Sequence, residues 1–102
     1  MCMLQRAVVT AEAIFGSTLR RLRVERGLSQ EQLANLANLH RNHVGHIERG
    51  EKTASLGVIL RLSLALKVEP RELLSVFTLP FVARLTTAAS RRAKKRPAGG
   101  TH

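Results

Sequence analysis

His40, His43 and His46 stand three residues apart in HRNHVGHIERG (residues 40–50) and make up three of the chain's four histidines. Imidazoles repeated at near-helical spacing could ligate a metal, or could give a helix a polar face for contact with a polyanion. Steps of three along a helix turn by about 300° each, so the rings spread over a stripe about 120° wide and do not converge. Zinc would need further ligands, and Cys2 is the lone cysteine. No metal and no cofactor is therefore expected. A single cysteine also excludes an internal disulfide and fits a reducing, cytoplasmic setting. The polar-face alternative needs a polyanion and a helix to present the rings.

Charge supplies the first. The chain has 102 residues and a net charge of +10. Residues 12–76 hold ten basic and seven acidic side chains, so most of the excess lies elsewhere, in Arg6, Arg84, Arg91, Arg92, Lys94, Lys95 and Arg96. A basic chain points first to nucleic acid. With three Phe and no Trp or Tyr, stacking of bases on aromatic rings is not expected to be its main binding mode. No apolar run reaches the roughly 20 residues that span a bilayer, and the start MCMLQRAVVTAEA lacks the basic region and cleavage site of a secretory signal. The sequence also offers no nucleophile–base set or phosphate loop, so an enzyme is not expected.

Periodicity supplies the helices. Phe15, Leu19 and Leu22 recur at helical spacing, and Gly27 is placed to end that helix. Ser29 followed by Gln32 is a capping-box pattern that opens a second helix, with Leu33, Ala34, Leu36 and Ala37 as its apolar face. Asn38 tolerates the left-handed conformation of a sharp turn. A third helix follows, capped by His40, anchored by Val44 and Ile47 and closed by Arg49 and Gly50. Ser55 caps a fourth, with Leu56, Ile59, Leu60, Ser63 and Leu66 facing inward. Pro70 suits the first turn of a fifth, containing Leu73, Leu74 and Phe77, and Pro80 stops that pattern. The expected fold is all-α: a compact five-helix domain with a short sixth helix as an option. Residues 1–11 read as an arm, 12–79 as the domain, 80–90 as a further helix or dimerisation extension, and 91–102 as a disordered basic tail.

Helices two and three, joined by a tight turn, outline a helix-turn-helix. The stretch from FGSTLRRLRVERGLSQEQLA through IERGEK to ALKVEPRELL resembles the helix-turn-helix family of phage repressor and Cro proteins, the Xre-like transcriptional regulators. The resemblance covers residues 14–77. It implies that the helix beginning near His40 enters the major groove of double-stranded DNA with its N-terminal residues nearest the bases. Arg41, Asn42, Gly45 and His46 then fall at base-reading positions, where Arg suits guanine and Asn suits adenine. Gln30, His43, Arg49 and Lys52 fall at phosphate-contact positions. Arg23 and Glu48 match a buried ion pair that would set the angle of the recognition helix. The sequence departs from the family at Asn38 and Lys67, where glycines are usual, and at Gly45, which lacks a side chain.

The implied function is sequence-specific binding of an operator as a transcriptional regulator, as a homodimer on paired half-sites. A controller of a restriction-modification system and an antitoxin-like repressor are both small single-domain forms of it. The alternative is a protein-interaction module that uses the same surface to bridge partners. Val76, Phe77, Leu79, Phe81, Val82 and Leu85 are candidates for the dimer interface, or else for packing of an added helix. The tail would add salt-sensitive affinity without sequence preference. DNA affinity is expected to rise as pH falls through about 6.5, where histidines near phosphates gain charge.

Overall fold

The starts of the first four helices are each written in a side chain that replaces a missing backbone partner. The computed structural model describes residues 10–85, and every regular element among them is a helix. These are α1 (Ala11–Glu25), α2 (Gln30–Ala37), α3 (Arg41–Glu48), α4 (Leu56–Leu66) and α5 (Pro70–Leu73). A further helical run, α6, covers 79–85. Most of the expected arm and all of the basic tail lie outside the described residues. The Thr10 hydroxyl accepts from the Ala13 N–H at 3.0 Å, a cap that the sequence reading did not assign, and α1 starts inside the expected arm. Ser29 and Gln32 form the reciprocal box, at 3.0 and 2.8 Å. The Ser55 hydroxyl accepts from Val58 N–H at 3.2 Å. Pro80 falls in the first turn of α6, so it opens a helix as well as ending the preceding segment.

The helix ends share one device. At the close of α1, α2, α3 and α4 a residue with positive φ turns the chain: Gly27 (71°), Asn38 (59°), Gly50 (76°) and Lys67 (60°). The next N–H then reaches back to a carbonyl in the last turn, as Leu28 to Arg23, Leu39 to Ala34, Glu51 to His46 and Val68 to Ser63, at 2.8–3.1 Å. Lys67 therefore ends α4 in the same left-handed conformation a glycine would take, at the cost of crowding its Cβ.

Leu19, Leu33, Val44, Ile47, Leu62 and Leu73 are fully buried and, with Leu66 and Phe15, form one core shared by α1 to α5. Each such side chain contributes roughly 1.5–3 kcal/mol of burial. Two expected faces are wrong in part. Leu36 is exposed. On α4 the inward residues are Val58, Leu62, Ser63 and Leu66, with Ile59 packed at their margin, while Leu56, Leu60 and Leu64 point outward, 71%, 47% and 79% exposed. The run LGVILRLSLAL is apolar on nearly every side, so its pattern does not mark one inner face.

α1 packs against α3 at a distance only glycine permits. A Cβ on Gly16 would collide with the backbone carbonyl oxygens of Ile47 and, at 2.6 Å, Glu48. Backbone atoms cannot move aside as a side-chain tip can. Gly16→Ala is therefore expected to destabilise the domain by about 1–3 kcal/mol, measured by denaturant unfolding, although alanine is the better helix former.

Candidate nucleic-acid interface

The left-handed Asn38 and the extended His40, with Leu39 between them, turn the chain from α2 into α3. Arg61 of α4 donates to the Asn38 carbonyl at 3.3 Å and supports the turn from behind. His40 is the N-cap of α3, and its Nδ1 accepts from the Asn42 N–H at 3.1 Å. An accepting Nδ1 carries no proton.

One side of α3 is sealed by Val44 and Ile47. Arg41 and Asn42 are exposed at its N-terminus. Arg41 lies 3.8 Å from Glu31 of α2, with both side chains about two-thirds exposed, a contact worth little against solvent. Together with Ser29, Gln30, Gly45 and Arg49 they line an open cleft of about 510 Å³ between α2 and α3. His43 is half-buried and Lys52 is exposed.

Gly45, expected at a base-reading position, lines the cleft through its backbone. It is buried, and a Cβ there would lie 3.2 Å from Arg49 Nη1 and 3.5 Å from Gln30 Oε1. What the glycine does is let two neighbouring side chains lie over the helix.

The opposite end of α3 is held by Glu48, whose side chain is 3% exposed. Arg23 of α1 grips it twice, from Nε at 2.6 Å and from Nη2 at 3.1 Å. The third arm of the guanidinium donates to the Leu28 carbonyl at 2.7 Å. Gln30 of α2 donates to Glu48 Oε1 at 3.0 Å. Its amide nitrogen is thus turned toward the brace, and its oxygen toward Gly45.

A second ionic group sits on the surface just beyond α3. Both oxygens of Glu51 accept from Arg49, at 3.0 and 3.2 Å, and Oε1 also lies 2.7 Å from His46 Nδ1. Hydrogen bonds from Arg49 and then His46 lower the Glu51 carboxyl to about 2. With its pKa depressed, the group keeps its charge from neutral pH down to about 2, and the cluster is lost only below that. The hydrogen bond to Glu51, and then its charge, raise Arg49 above its ordinary value. Two of the expected DNA contacts, His46 and Arg49, are therefore already partnered. Glu51 was missed because its partners are set by the chain reversal at Gly50, and the acid in RGEK was the only signal. The three histidines do not meet, and among the described residues no group of three His, Cys, Asp or Glu could hold a metal.

A short helix, a tight left-handed turn and a second helix with an exposed polar N-terminus define a helix-turn-helix DNA-binding domain. The helix-turn-helix family model matches residues 19–73, and the chain belongs to that family. It is similar to the control protein C.BamHI of Bacillus amyloliquefaciens, 40% identical over 67 residues, which cover 65% of this chain and 83% of that protein. Control protein C.SmaI of Serratia marcescens is 37% identical over 62 residues, covering 61% and 74%. Among solved structures, the restriction-modification controller protein C.AhdI from Aeromonas hydrophila aligns over 60% of this chain and 92% of its own, with 54% identity and a TM-score of 0.59. The chain is a DNA-binding transcription regulator and not an enzyme.

Because Glu48 joins three helices, Glu48→Ala would leave the Arg23 charge almost buried and unpaired. It is expected to cost about 3 kcal/mol of stability or more, measured by thermal or urea unfolding.

Proposed function

We propose that the chain is a homodimeric regulator that reads an operator of two half-sites in the major groove, and that it controls a restriction-modification system in the cytoplasm. The observation that carries this reading is the asymmetry of α3, sealed into the core along one side while Arg41 and Asn42 are exposed to solvent at its N-terminus. In it, Arg41 and Asn42 contact base edges, and Gln30, His43 and Lys52 lie by phosphates. The choice of a restriction-modification system rests on the similarity to control proteins over most of their length.

A dimer needs an apolar face, and the described residues offer more of one than the sequence reading supposed. Leu56, Leu60 and Leu64 form an outward row on α4, and Val76 and Leu79 are exposed as well. Phe77, by contrast, packs against the core and faces Phe81 at 6.3 Å, with Arg84 above the Phe81 ring at 5.8 Å. The candidate group over 76–85 therefore splits into residues committed within the chain and residues left open.

Selection from random duplexes is expected to yield a palindrome with half-sites about 34 Å apart. Leu60→Glu, which places a charge in the apolar row, is expected to lower cooperative operator binding and shift sedimentation toward the monomer. Selection of no preferred sequence would count against the operator, and a monomer in the unaltered protein against the dimer.

A further inference from the structure

Arg49 is the C-cap of α3, yet its guanidinium lies over Gly45, one turn nearer the N-terminus. Nη1 sits 3.2 Å from the point where a Gly45 Cβ would be. It also lines the cleft that Arg41 and Asn42 share. One edge of the planar group is already bonded. Its Nε–Nη2 edge is matched by both oxygens of Glu51, at 3.0 and 3.2 Å. Glu51 is fixed in turn by His46 Nδ1 at 2.7 Å. A carboxylate only accepts, so His46 donates, and its Nδ1 carries the proton.

We propose that Arg49 reads a guanine of the operator in the place of the side chain that Gly45 lacks, with Glu51 and His46 as its positioning residues. This rests on the operator-reading function above and moves Arg49 from a phosphate to a base. Among the described residues Nη1 makes no hydrogen bond, while Nη2, bonded to Glu51, also lies 3.3 Å from His46 Nδ1. With Nη1 leading, the Nη1–Nη2 edge presents two parallel donors that match the O6 and N7 acceptors of guanine. Charge argues against a phosphate. An Arg–Glu pair is close to neutral, so it has little attraction for a phosphate anion, whereas a base edge is neutral and rewards a fixed fork. Glu51 stays ionised at every pH at which the domain would meet DNA. It therefore holds the fork constantly rather than as a switch.

The test compares the full chain with Arg49→Lys, which keeps charge but loses the fork, and Glu51→Gln, which removes the ionic brace. Each is used in selection from random duplexes and then in titrations of the selected duplex and its single-base variants. Both residues are exposed, so unchanged thermal unfolding is the control for folding. The expected result is one guanine per half-site whose preference falls about tenfold in both variants, while other positions keep theirs. Glu51→Gln tightening all duplexes alike, with every base preference retained, would show Glu51 to be merely a repulsive charge and overturn the proposal. Uniform weakening by Arg49→Lys with a shallower salt dependence would return Arg49 to a phosphate and overturn it as well. If the unaltered chain selects no sequence, the operator reading itself fails, which is distinct from losing one position.

Discussion

Glu48 is where the three helices of the DNA-binding unit are tied together. Arg23 comes to it from α1 and Gln30 from α2, while it belongs to α3 itself. Gly16 brings the backbone of α1 against the carbonyls of the same residues, Ile47 and Glu48. One short segment thus carries a close backbone contact and a nearly dry ionic contact at once. Buried pairs of this kind add little net stability, because desolvation offsets attraction, but a wrong arrangement would strand a charge. The pair therefore selects one angle of α3 against α1 and α2. Everything that Arg41 and Asn42 can reach follows from that angle.

Local chemistry was the legible part of the fold. Ser29, Ser55, Pro70 and Gly27 each announce a helix boundary through their own covalent form, and the structure uses each in that way. Lys67 was harder, since lysine does not favour positive φ, and only the packing of Val68 behind it shows why the turn is kept. The inner face of α4 was not legible, because a helix with leucine on several sides has no polar boundary to read. Nor was the role of Gly16, which depends on where a carbonyl from residue 47 arrives.

The candidate site divides in a similar way. The resemblance located α3 and its partner Gln30 on α2, and it paired Arg23 with Glu48, which meet. It could not foresee that Glu51 would hold Arg49 and His46, since that meeting crosses a left-handed turn. The histidine repeat turned out to be three separate situations. His40 closes the start of its helix, His43 lies half-buried along it, and His46 leans on an acid beyond its end.

In mechanical terms α3 is a cantilever. Its C-terminal end is clamped by Glu48 and by the carbonyls against Gly16. The side chains of its first turn are held far less, with the His40 ring the one side chain bonded to a backbone N–H there among the described residues. The side chains at the tip therefore have fewer fixed partners than those at the root. DNA grooves vary in width with sequence, and a rigid probe would meet only one of them well. A lever stiff at the root and yielding at the tip can settle into such variation without disturbing the core.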